Sequence, residues 1–155
     1  MSQTVDIPQS IKDTLRKFRF ARRNEGHAAL VIKINKATLT MEEVEQFDDI
    51  SIEELVEELP ENSPRYVVLS YELNHSDGRK SFPLVLVNWA PTSSEIGLLT
   101  LHASAFINFQ NTVRYSFRYV VLVLIDILQA GVSKVVEVRD GPEGLTKEVI
   151  DSKLS

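Results

Sequence analysis

SYELNHSDGRKSFPL, from Ser70 to Leu84, is the stretch whose reading decides the fold. Asp77-Gly78 is a type I′ turn dipeptide, because both central residues of that turn need φ > 0 and glycine supplies it at no steric cost. Strands are therefore expected on both sides. Arg65 to Asn74 carries Tyr66, Val67, Val68, Leu69 and Tyr71, and Ser81 to Trp89 carries Phe82, Leu84, Val85, Leu86, Val87 and Trp89. Runs this continuously apolar suit strands covered on both faces, which puts the hairpin mid-sheet.

Upstream of the hairpin, Ile11, Leu15 and Phe18 recur at helical spacing and predict a first helix from Pro8 to about Arg23, stopped by Gly26. Ala28 to Asn35 reads as a strand, and Asn35-Lys36-Ala37 turns into a second from Thr38 to about Val44, with a continuation to Phe47 left open. Ser51-x-x-Glu54 is a capping box for a short helix that Pro60 ends. Downstream, a longer third helix starts near Glu95 with Leu98, Leu101, Ala105 and Phe109 on one stripe. Val135 to Arg139 reads as a last strand, and Thr146 caps a C-terminal helix. This order predicts an α/β fold of the α+β type, with a mixed sheet of about five strands sandwiched between helices, in one domain spanning 1–155.

With 155 residues, the chain can bury roughly two thirds of its unfolded surface in one core. The absence of cysteine excludes a disulfide framework and thiolate metal sites. The start, MSQTVDIPQS, has neither the basic nor the apolar part of a signal peptide, so an intracellular chain is expected. A net charge of −5 hides an uneven distribution, with basic residues crowded into 12–23 and acidic ones into 42–61. That balance disfavours nucleic acid, yet the basic face of one helix suits an acidic protein partner.

Several motifs recur together: LRKFRF at 15–20, ISIEEL at 50–55, ELPE at 58–61, Pro64-Arg65, Ser70-Tyr71, His75-x-Asp77-Gly78-Arg79, Ser81-x-Pro83-Leu84 and Lys134-Val-x-Glu-x-Arg139. In this order and at these spacings the chain resembles the glia maturation factor branch of the actin-depolymerising-factor homology family. The resemblance implies that family's fold. It further implies an actin-cytoskeleton regulator that binds the actin-related protein 2/3 complex, inhibits branched nucleation and promotes debranching. The alternative within the fold is an actin monomer- or filament-binding factor that depolymerises or severs. The expected setting is the cytoplasm, at cortical actin patches, with the nucleus as a second location, and the expected state is a monomer that meets neither nucleic acid nor membrane.

Residues 113–129, VRYSFRYVVLVLIDILQ, depart from the family pattern. Without them Asn111-Thr112 joins Ala130-Gly131-Val132 and the helix-to-strand connection of the family runs on without a gap. Two readings stand: a retained in-frame intron, since valine codons begin GT and glutamine can be coded CAG, and a real insertion after the third helix. Tyr119 to Leu128 is about ten residues and contains Asp126, too short for a membrane span of about 20. Val113, Phe117, Val121, Leu124 and Leu128 keep a spacing that would extend the helix to about Gln129, whereas the β-branched and aromatic composition of Tyr119 to Ile125 favours an added strand or a sticky exposed segment.

No HExxH, GxSxG, P-loop or GxGxxG pattern accompanies His27, His75 and His102, so no catalytic residue, metal site or cofactor is expected. The acidic run reads as a solvated face. The first helix turns Lys12, Arg16, Lys17, Arg19, Arg22 and Arg23 outward with Asp13 as its acidic counterweight. That density of charge reads equally as a solvated helix surface and as a docking face; the resemblance implies the latter, with Lys17, Arg19, Arg22 and Arg23 contacting the partner, and in that reading Arg79 and Lys80 at the hairpin tip press on the first actin of a branch. From Ser81 to Thr112 there is neither Lys nor Arg, although actin-binding relatives present basic residues on the long helix, so actin itself is a poor candidate for that surface. Thr100, His102, Ser104 and Asn108 are expected on the exposed face of that helix, offering contact by shape and hydrogen bonds. The branch often carries Lys near 106–108, where this chain has Phe106, Ile107 and Asn108, a departure that bears on affinity more than on the partner's identity.

Overall fold

The computed structural model describes residues 4–21, 25–115, 132–138, 145–147 and 150. The hairpin sits where the apolar pattern puts it. Its main strands, β3 (Arg65–Ser70) and β6 (Leu84–Trp89), pair antiparallel from Arg65 opposite Trp89 to Ser70 opposite Leu84. β1 (His27–Asn35) flanks β3, β2 (Thr40–Ile50) lies outside β1, and β7 (Val132–Val138) pairs parallel with β6, giving the order β2-β1-β3-β6-β7. Beyond Ser70 and Leu84 the same register resumes in two short strands, β4 (Leu73–Asn74) and β5 (Lys80–Ser81). Pro83 accounts for the interruption, because it has no N–H to give the ladder, and a single bond from Tyr71 N–H to Pro83 O (3.0 Å) crosses there.

Side chains of successive strand residues point to opposite faces, and both faces are covered. Leu30, Ile32, Tyr66, Val68, Leu84 and Leu86 form one core with α1 (Gln9–Phe20) and α3 (Ile96–Tyr115). Ala29, Val31, Val67, Leu69, Val85, Val87 and Trp89 form the other with α2 (Ile52–Glu58) and with Leu145 and Ile150. The mixed sheet between helices follows from this double burial, as do the unbroken apolar runs. Trp89, fully buried, keeps its indole N–H satisfied by Pro60 O at 2.7 Å, which fixes the chain leaving α2 against the sheet.

Local details correct the sequence reading in several places. The hairpin turn is not type I′: Gly78 has φ +90° but Asp77 does not take a positive φ. Gly78 N–H bonds His75 O (3.0 Å) and His75 N–H bonds Arg79 O (2.8 Å), a three-residue loop whose glycine takes the left-handed position after a tight turn. β2 runs to Ile50, well past Phe47, because pairing with β1 overrides its polar composition. Register shifts opposite Val31/Ile32 and His27/Ala29 scramble its alternation, and Asp49 takes φ +53°. The helix α1 ends at Phe20, with Arg22 and Arg23 outside the described residues. Ser51 Oγ accepts the Glu54 N–H (3.1 Å) as expected, while the Glu54 carboxylate meets the Ser51 hydroxyl rather than its N–H. The last strand begins at Val132, earlier than expected. Of the C-terminal helix, the described part shows Ile150 N–H bonded to Thr146 O (3.2 Å). Of the 113–129 block, residues 116–129 lie outside the described residues; Val113 is in α3 and buried in the core beneath it.

Candidate partner-binding surface

Because α1 and α3 lie on the same side of the sheet, their outer faces form one surface. Ile11, Leu15 and Phe18 face the core, so Lys12, Arg16 and Lys17 stand exposed, and Arg19 is half-buried beside them. Asp13 is engaged by Gln9 Nε2 (3.0 Å). On α3, Leu101, Ala105, Phe109 and Val113 are buried, and Ile96, Thr100, Ala103, Ser104, Ile107 and Asn108 form an exposed strip without a charge. Thr100 and Ser104 donate their hydroxyls back to Ile96 O and Leu101 O (both 2.9 Å), which leaves the strip less polar than its composition suggests. Ile96 and Ile107 are 81% and 62% exposed, the apolar anchors of this face that the sequence reading did not single out. Ile96 lies four, seven and eight residues before Thr100, Ala103 and Ser104, and Ile107 lies seven, four and three after them, which was the available signal.

His102 is not on that face. It is buried at 2% exposure, its ring stacks on Tyr66 at 3.9 Å, its Nε2 bonds Asn88 Oδ1 at 2.6 Å, and its carbonyl accepts the Tyr66 hydroxyl. Burial, reinforced by the Arg65 cation, pushes the imidazole down to about 3, so it is neutral and donates from Nε2. Burial likewise raises the Tyr66 phenol. His102 therefore belongs to the core between α3 and the sheet, and the signal for this was its position four before Phe106 and seven before Phe109.

At the hairpin tip both cations are engaged. Arg79 Nε meets Asp77 Oδ2 at 2.6 Å while the Arg79 N–H bonds Asp77 Oδ1, and that backbone bond foremost holds the Asp77 carboxyl below its usual range. Arg79 nevertheless keeps 76% of its side chain exposed. Lys80 Nζ is 2.8 Å from Glu72 Oε1, so the Glu72 carboxyl is pushed down, by Lys80 first and the Gly26 N–H second, and the Lys80 ammonium is raised. His75 Nε2 spans the arm to Ser81 Oγ at 2.8 Å.

The acidic run lies along β2 and α2. There a cleft of about 260 Å³, with Val44, Phe47 and Leu59 among its walls, is rimmed by Glu45, Glu57 and Glu58. Carboxylates and bulges on an edge strand discourage pairing with another chain, which accounts for their position on β2. No helix among the described residues is long and apolar enough to cross a membrane.

Residues 4–155 match the family model for cofilin/tropomyosin-type actin-binding proteins. The chain is 31% identical over 153 residues to the glia maturation factor of Drosophila melanogaster, covering 99% of this chain and 97% of that one. It is 33% identical over 149 residues to human glia maturation factor beta, covering 96% and 92%. Among solved structures, the glia maturation factor of Caenorhabditis elegans superposes with a TM-score of 0.72 at 31% identity over 99% of both chains. Actin depolymerization factor 2 of Plasmodium berghei superposes equally well, with a TM-score of 0.73 at 13% identity, and shows the fold alone.

Proposed function

We propose, because this chain belongs to the cofilin/tropomyosin-type actin-binding family and to its glia maturation factor branch, that it binds the actin-related protein 2/3 complex, inhibits branched nucleation and promotes debranching. The observation that carries the choice of partner is the uncharged outer strip of α3, since a helix face without Lys or Arg is poorly matched to the acidic surface that basic helices of the fold engage. In this reading Lys17 and Arg19, with Arg22 and Arg23, which lie outside the described residues, steer the encounter. Thr100, Ser104 and Asn108, with Ile96 and Ile107, make the close contact, and Arg79, on the arm that Lys80 ties to Glu72, faces the first actin of the branch. The domain acts as a monomer at cytoplasmic and cortical actin. Tighter affinity for the dissociated branch than for the intact one supplies the driving force, and no bond is made or broken.

Branch lifetimes and filament co-sedimentation test this together. Adding the protein should shorten branch lifetime and slow nucleation by the complex, while bare filaments neither pull it down nor fragment. Severing of unbranched filaments at the same concentration refutes the reading in favour of a depolymerising factor.

A further inference from the structure

We infer that Glu72 is a positioning residue: its carboxylate fixes the angle of the hairpin arm, β4 to β5, against the corner that follows α1. The arm has reason to swing. Pro83 removes a ladder donor where the arm leaves the main sheet, and β4 and β5 pair with each other rather than with the five-stranded sheet. Glu72 lies at this break, and each oxygen of its carboxylate holds one side. Oε1 takes the Lys80 ammonium of β5 at 2.8 Å, and Oε2 accepts the Gly26 N–H at 2.6 Å. Its own N–H donates to His27 Nδ1 at 2.9 Å, and the His27 ring stacks on Tyr71 at 4.5 Å. The corner is itself constrained: Gly26 has φ +82°, and a Cβ there would collide with Asp49 Oδ1 at the end of β2. With 14% of its side chain exposed, Glu72 is shielded enough for these charge-assisted bonds to keep their geometry.

Resting on the proposed function, this assigns Lys80 a role other than direct contact. A debrancher that grips one subunit with α1 and α3 and touches its neighbour with Arg79 needs the two surfaces at a set spacing, and the Lys80–Glu72–Gly26 bridge sets it. Misplacing a contact by about 1 Å can cost two orders of magnitude in an oriented process, so a loose arm should impair debranching far more than binding.

The test is a cycle of Glu72→Gln, Lys80→Met and the double variant. Amide 15N relaxation of Asn74 to Lys80 reports the arm without reference to any partner, and both single variants should make it more mobile than in the parent. Affinity for the isolated complex should stay within about twofold while branch lifetime lengthens about fivefold or more, and the double variant should add little to either single one. An arm as rigid in Glu72→Gln as in the parent overturns the inference. So do single-variant effects that multiply in the double variant, which would make Lys80 a direct contact. Failure of the unmodified protein to shorten branches removes the proposed function instead, and the relaxation data still decide the role of Glu72. If Glu72→Gln does not fold, Lys80→Met breaks the same bridge from its exposed end and is judged by the same relaxation.

Discussion

At the scale of single residues, His102 shows how a polar group is kept inside a core. Its Nε2–H has Asn88 Oδ1, its ring has Tyr66, and its carbonyl has the Tyr66 hydroxyl. A histidine held neutral down to about 3 when folded takes up its proton near 6.5 when unfolded. Between those values the unfolded state binds more protons, so stability falls as pH drops from about 6.5 toward 3, at up to about 1.4 kcal/mol per pH unit. The Glu72 carboxyl, depressed in the folded protein, adds its loss only as the pH falls through the ordinary carboxylate range and below it. Urea unfolding at pH 7 and pH 5 should therefore show a clear drop for the parent and a much smaller one for His102→Gln, whose amide can still donate to Asn88. Equal drops in both would place the acid-sensitive group elsewhere. Its spacing to Phe106 and Phe109 was only a weak cue to this burial, because a histidine flanking an apolar stripe reads equally well as outward; Gly78 was legible because only glycine meets its φ so cheaply.

For whole elements, legibility followed pattern strength. The hairpin and β1 could be read because burial on both faces writes continuous apolar runs, and the first helix because Ile11, Leu15 and Phe18 keep one period. β2 could not, since two register shifts break its alternation and five acidic residues from Glu42 to Asp49 mask a strand that pairing with β1 nonetheless forms. On α3 the inward stripe was legible and the outward one only in part, the apolar character of Ile96 and Ile107 outweighing the helical offsets that tie them to Thr100, Ala103 and Ser104. That outward strip gives the sharpest test at this scale. Ile107→Asp puts a charge at an exposed, uncharged contact, and a surface substitution of this kind moves stability by about 0.5 kcal/mol or less. Affinity for the complex should fall by about tenfold or more with the thermal midpoint nearly unchanged, because burying an unpaired carboxylate in an interface is costly. Unaltered affinity would remove α3 from the binding surface.

Over the whole molecule, α3 carries the chain across the sheet so that β7 can join β6 in parallel, a connection that needs a long crossover. The 113–129 block falls at the end of that crossover, and the sequence reading treats all of it as surplus to the family core. Val113 corrects this, being 4% exposed in the core that α3 shares with α1. Excising 113–129 would put Ala130 in its place, and losing a buried valine side chain to alanine costs about 1–3 kcal/mol. Excising 114–129 keeps Val113, and shortening a connection changes closure entropy by only about 0.6 kcal/mol per halving. At this size each kcal/mol moves the melting temperature by about 2–4 °C. We propose that 114–129 is dispensable. The shorter deletion should melt within a few degrees of the parent, remain soluble at higher concentration as the apolar run Tyr119 to Ile125 is lost, and bind its partner as well, whereas the longer deletion should melt several degrees lower. If removing 114–129 unfolds the domain, the run is part of the core, and the intron reading of the block fails with it.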